Sequence, residues 1–119
     1  SRDVYDYFYP DMIDLQVEEC HVLFLNQSSR VIDSMRISQG GLSSASVDIR
    51  LILREAFMHR ATGLTLCHNH PSGTALPSRQ DDELTRSVAQ ACRTVNVPLL
   101  DHVIFTENGY YSYADKGRL

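Results

Sequence analysis

"CHNHPSGTALPSRQDDE", residues 67–83, sets two histidines one residue apart, follows them with a Pro-Ser-Gly turn, and closes on a serine and a group of acids. The run "LTLCH" (64–68) leading into it is short, apolar and bounded by Gly63 and Pro71, which reads as a buried strand. Alternate side chains of an extended strand share a face, so His68 and His70 project together and Asn69 points the other way. Ser78 then opens a helical pattern to about Thr94, with Leu84, Val88, Ala91 and Cys92 as its apolar residues. A strand, a turn and a helix start therefore meet around a set of potential ligands.

Zinc accepts neutral imidazole nitrogen at about 2.0–2.1 Å and carboxylate oxygen at about 2.0–2.2 Å, and a catalytic site keeps one position open for water. His68 and His70 supply two ligands. The Pro71-Ser72-Gly73 turn can bring the next helix back towards them, with Asp81 in its electropositive first turn. His-x-His-x10-Asp then offers two nitrogens and one oxygen, the composition of a hydrolytic zinc site. A plainer reading stands beside this one. Ser78 and Asp81 also resemble a capping box with Asp in place of Glu, and Asp82 and Glu83 suit the start of any helix. A hydrolytic site also needs a base. Glu18 and Glu19 precede the apolar run "HVLFLN" (21–26), although on their own they read as an ordinary solvated strand edge.

Outward from this centre, "DVYDYFYPDM" (3–12) forms a short amphipathic helix with Val4, Tyr5, Phe8 and Tyr9 on one side and Pro10 near its end. "HVLFLN" and "QSSRVIDSMRIS" (27–38) read as two strands joined by a turn at 27–29. "QGGLSSAS" (39–46) is a Gly/Ser loop. Ser46 caps a helix to about Arg60, with Ile49, Ile52, Leu53, Ala56 and Phe57 on one face. "PLLDHVIFT" (98–106), a Glu-Asn-Gly turn and "YYSY" (110–113) make a second hairpin. Strands before, between and after two main helices predict an α/β layered domain with a mixed sheet. His102 and His21 read as structural, and His59 as a surface residue at a helix C-terminus, favourable there when protonated.

The chain has 119 residues, one domain's worth, with no internal repeat or linker, so residues 1–119 read as a single domain. Fifteen acids against eleven Lys and Arg leave a net charge of −4, which does not favour a surface built for phosphate backbones. Three scattered cysteines, with no Cys-x-x-Cys, are neither a disulfide framework nor a zinc ribbon, and a reducing, cytoplasmic setting fits them. No apolar run reaches membrane-spanning length, and the polar start is not a signal peptide.

These residues resemble the RadC family, a bacterial branch of the JAMM (MPN-type) zinc-metalloprotease superfamily. "HNHPSG" (68–73), then Pro77-Ser78 and Asp81, carry the resemblance, with "DHVI" (101–104) downstream and "VEECHVLFLN" (17–26) upstream. "GGLSSASVDIRLILREA" (40–56) is similar to that family's loop and helix before the metal-bearing strand, and the similarity runs from about Asp3 to Ser112. The resemblance implies a cytidine-deaminase-like α/β fold, a curved mixed sheet flanked by helices. It implies His68, His70 and Asp81 as zinc ligands, Glu18 as general base, and Ser78 as the hydrogen-bond donor to the oxyanion. The chain departs from the usual pattern at Asp48-Ile49-Arg50 and in the loop Gly73–Pro77 beside the site, and Asn69 stands where the wider superfamily has Ser or Thr. Longer family members carry an N-terminal helix-hairpin-helix segment, so the chain is expected to be a C-terminal domain or a short member.

The expected activity is zinc-dependent hydrolysis of a peptide or isopeptide substrate. A DNA-repair-associated binding or nuclease domain and a non-catalytic interaction module are the alternatives. DNA enters through the family's label and not through charge, and no membrane partner is expected. Comparison with HNH nucleases fails because their residues are spread over a longer ββα unit. A zinc deaminase lacks support because His-x-Glu and Pro-Cys-x-x-Cys are missing.

Overall fold

Residues 2–12, 16–40 and 47–119 are described by a computed structural model, with backbone alone for residues 8, 9, 11 and 12. The elements run α1 (Arg2–Met12), β1 (Glu19–Leu25), β2 (Val31–Gln39), α2 (Ile49–Met58), β3 (Gly63–Asn69), α3 (Arg79–Thr94), β4 (Leu99–Thr106) and β5 (Gly109–Ser112). The five strands form one sheet in the order β2-β1-β3-β4-β5. β3 and β4 pair in parallel across α3, while the other neighbouring pairs are antiparallel, so the sheet is mixed as the element order predicts. No helix among the described residues is long and apolar enough to cross a membrane.

Strand alternation divides the core into two layers. Cys20, Val22 and Phe24 of β1, with Leu64 and Leu66 of β3, face α2 and α3, where Ile52, Ala56, Leu84, Val88 and Cys92 are buried against them. Leu23, Cys67, Val103 and Phe105 face the other way, under Val4 and Tyr5 of α1. Tyr5 meets Phe105 edge-on with ring centroids 5.5 Å apart. Full burial of each large aliphatic side chain is worth about 1.5–3 kcal/mol, so α3 is held chiefly by its Leu84–Val88–Cys92 stripe.

Two features of α2 differ from expectation. Ser46 lies outside the described residues, and the helix is capped by Asp48, whose side chain accepts from the Arg50 N–H at 3.0 Å. An aspartate at this position accepts the orphan donor as well as a serine does. Phe57, expected on the core face, is 54% exposed, because Ile52 and Ala56 set the buried stripe and Phe57 falls beside it. The expected α1 residues Phe8 and Tyr9 have no described side chains. Asp101, a charge within a buried strand, is accounted for structurally. Its carboxylate accepts from the His102 and Ala114 N–H groups and from the Ser112 hydroxyl, tying β4 to the chain after β5.

Candidate metal centre

The same alternation that builds the core assigns the site its side chains. His68 has the parity of Leu64 and Leu66, so it lies on the α3 side of β3. Glu18 has the parity of Cys20 and Val22 and lies on that side of β1, where Cys20 is paired with His68. Glu19 therefore faces away. Its carboxylate meets His21 Nε2 at 3.0 Å and Arg36 at 3.8 Å. His70 follows the end of β3, fixed by its N–H to the Phe105 carbonyl of β4 at 2.8 Å. The chain then turns, with Gly73 N–H donating to the His70 carbonyl at 3.1 Å. Gly73 has φ +88°, a left-handed conformation that favours glycine.

The turn brings back α3, whose start is a complete capping box. Ser78 Oγ accepts from Asp81 N–H at 3.1 Å, and the Asp81 carboxylate accepts from Ser78 N–H at 2.7 Å. The helix-cap reading of Asp81 is thus correct, and it does not keep the same carboxylate from the histidines. Its Oδ1 also lies 3.2 Å from His68 Nε2 and its Oδ2 3.2 Å from His70 Nε2. The two Nε2 atoms are 2.9 Å apart. Glu18 Oε1 is 3.3 Å from His70 Nε2 and 3.6 Å from His68 Nε2.

These separations test whether a metal fits. Four ligands at about 2.0–2.1 Å from one ion lie about 3.3 Å from each other at tetrahedral angles. The four histidine-to-carboxylate separations, 3.2–3.6 Å, are near that value, and the donor atoms of Glu18, His68, His70 and Asp81 all lie within 4.8 Å of one another. Nitrogen and carboxylate oxygen are donors that zinc accepts, so the set could hold such an ion. Glu18 Oε1 approaches the two histidines from the cleft side, nearer His70 than His68.

The electrostatics agree with a site that attracts a cation. Burial would raise the Asp81 carboxyl, but hydrogen bonds from His68 and His70 outweigh it and hold it well below the usual carboxylate range. Burial would lower His70, yet Asp81 and Glu18 beside it raise its pKa to about 10. His68 and Asp81 are sealed from solvent, whereas Glu18 opens on a cleft of about 390 Å³ that Ser72, Ser78 and Gln80 also line.

His102, expected to be only structural, touches the site: its Nε2 lies 2.7 Å from His68 Nδ1, and its Nδ1 lies 2.6 Å from Thr85 Oγ1. Burial, with the nearby His68 adding to it, pushes its pKa well down. Its place depends on the parallel register that pairs Leu66 with His102, which a single sequence does not reveal. The available signal was an imidazole within the otherwise apolar run "HVIF", where a buried ring needs partners for both nitrogens. Thr85, one helical turn after Asp81, carried no signal beyond that spacing.

A model of the RadC-like JAB domain matches residues 1–118. A UPF0758 protein of Flavobacterium johnsoniae is 43% identical over 117 residues, covering 98% of this chain and 51% of the relative. Another, of Porphyromonas gingivalis, is 45% identical over 120 residues, covering 100% of this chain and 53% of the relative. A third, UPF0758 protein STH371 of Symbiobacterium thermophilum, is 38% identical and spans 99% and 50% of the two chains. The chain spans about half the length of these curated relatives. With a layered mixed-sheet fold, a four-donor centre at the end of β3, and this similarity along its whole length, the chain belongs to the RadC family as a RadC-like JAB domain.

Proposed function

We propose that this domain is a zinc-dependent hydrolase of amide bonds, peptide or isopeptide, with His68, His70 and Asp81 as ligands, Glu18 as general base and Ser78 as oxyanion donor. The observation that carries the reading is the one-sided donor set. His68 and Asp81 are buried and His70 nearly so, while the Glu18 carboxylate stands on the cleft side. Zinc would supply Lewis-acid polarisation of the scissile carbonyl and acidify water towards neutral pH.

The chain's own groups supply the rest. Glu18 takes a proton from the attacking water and passes it to the leaving nitrogen, a role that requires reach within about 2.6–3.2 Å or one water further. Its carboxylate is 26% exposed and carried on the residue before β1, at the cleft, where water can reach it. The Ser78 oxygen already accepts from Asp81 N–H, and the hydroxyl donates to no group among the described residues. Its proton therefore remains to meet the developing oxyanion in the cleft.

A non-catalytic module would have no use for an acid poised beside such a set, and the net charge of −4 gives duplex DNA little to bind. Three unpaired, buried cysteines suit a reducing cytoplasm as the setting.

The test is a pair of variants assayed on amide substrates from a peptide-library screen. Glu18→Gln keeps zinc and fold and loses about 10²–10⁴-fold in turnover. Glu19→Gln, on the other face, stays close to the unmodified rate. Full activity in Glu18→Gln contradicts the mechanism.

A further inference from the structure

The two histidines of the centre are backed differently. His70 Nδ1 lies 2.7 Å from the Thr74 carbonyl, which can only accept, so Nδ1 carries a proton and Nε2 is the nitrogen left to face the site. His68 Nδ1 instead faces a second imidazole, Nε2 of His102, at 2.7 Å. Either nitrogen of such a pair can donate, so the contact alone does not fix the tautomer.

The next links do. Thr85 Oγ1 lies 2.7 Å from the backbone carbonyl of Asp81, and because a carbonyl has no proton, the single Thr85 hydroxyl proton goes there. Towards His102 Nδ1, 2.6 Å away, Thr85 can then only accept, so His102 carries its proton on Nδ1. A neutral ring protonated at Nδ1 has a bare Nε2. His102 therefore accepts from His68 Nδ1–H, which leaves His68 Nε2 as the nitrogen available to the centre. The His102 ring is fully buried, and it stacks on Tyr113 with centroids 5.0 Å apart and planes 9° from parallel. Tyr113 is itself fixed by its hydroxyl donating to Asp82 at 2.6 Å.

We infer that His102 and Thr85 are positioning residues for His68: a hydrogen-bond chain of one direction, from His68 through His102 and Thr85 to the Asp81 backbone, sets the tautomer and the aim of the His68 ring. The inference rests on the metal-centre reading proposed above and deepens it. The chain closes on itself, because Asp81 accepts from Thr85 with its backbone while its carboxylate faces His68. Two proposed ligands on different elements are thereby held in register by groups that touch neither metal nor substrate. Partners of this kind are worth about 10–100-fold in metal affinity.

Two measurements on the intact domain test it. In long-range 1H–15N spectra of the unmodified protein, His102 shows the Nδ1–H tautomer with a bare Nε2, with and without zinc. In competition with a chromophoric chelator, His102→Phe keeps a ring against Tyr113 but offers no acceptor, and binds zinc about 10–100-fold more weakly. His102→Gln places an oxygen and an NH2 where the ring has its two nitrogens, and recovers most of that loss. An Nε2–H tautomer for His102, or unmodified zinc affinity in His102→Phe, overturns the inference. An unmodified domain that binds no zinc fails the metal reading instead, and the His102 tautomer then decides the hydrogen-bond chain separately.

Discussion

Asn69 grips the chain on both sides of Glu18: its side-chain oxygen accepts from Glu19 N–H at 2.7 Å, and its side-chain NH2 donates to the Val17 carbonyl at 3.1 Å. The residue between the two histidines thus points away from them and fixes the backbone that carries the proposed base. The Glu18 carbonyl is held in turn by Gly40 N–H at 2.7 Å. A hydroxyl at position 69, as in the wider superfamily, is too short to make both contacts. Asn69→Ala leaves the half-buried Glu19 N–H without its acceptor and lowers stability by about 1–3 kcal/mol in urea denaturation. Asn69→Ser recovers only part of that loss. Unchanged stability in Asn69→Ala would show that the grip contributes nothing.

Ser78 carries a structural role that can be measured apart from any chemistry. Its oxygen caps α3 in a reciprocal box with Asp81. In the metal-free protein, Ser78→Ala costs about 1 kcal/mol of stability, and Ser78→Thr costs much less because it keeps the acceptor. Equal stabilities for all three proteins would mean that the box does not hold α3 in place.

His59 makes stability depend on pH. Its Nδ1–H donates to the Glu55 carbonyl at 2.7 Å, its Nε2 meets Asp33 at 3.0 Å, and its ring stacks on Phe24 with centroids 5.1 Å apart. The Glu55 carbonyl contact, opposed by partial desolvation and aided by Asp33, raises its pKa above the ordinary value. A raised histidine pKa contributes stability that is fully present below about pH 6.5 and is lost as pH rises through the folded-state value. The stability difference between the unmodified protein and His59→Phe, which keeps the stack, is therefore larger at pH 5.5 than at pH 8.5. Urea midpoints at the two pH values give that difference. A gap that widens with pH has the wrong sign for this account.

What the sequence revealed and what it hid follow from the range of the interactions. Strand β3, helix α3 and the hairpins were legible because their signals are local: the short apolar run "LTLCH" between Gly63 and Pro71, the Ser78 cap, the turn at 27–29. That Glu18 and Glu19 face opposite sides was legible once the strand was placed, since parity alone separates them. Phe57 was misplaced because helical spacing defines a stripe only to within one position, and packing decides which residues at its border are covered. His102 was hidden because the parallel β3–β4 register, a relation between residues 34 apart, sets its neighbour. The cap and ligand readings of Asp81 stood as competitors in the sequence, and the geometry makes them compatible, since the capping carboxylate also lies within the donor group.

The central claim is that His68, His70 and Asp81 bind one divalent ion, and zinc content tests it most directly. Protein purified without chelator, loaded with zinc and desalted, is analysed for metal by elemental analysis, beside His68→Ala treated identically. The account predicts about one equivalent of zinc per unmodified chain and almost none in His68→Ala, because that variant breaks the proposed three-ligand set and removes its fully buried imidazole. A full equivalent retained by His68→Ala would contradict it.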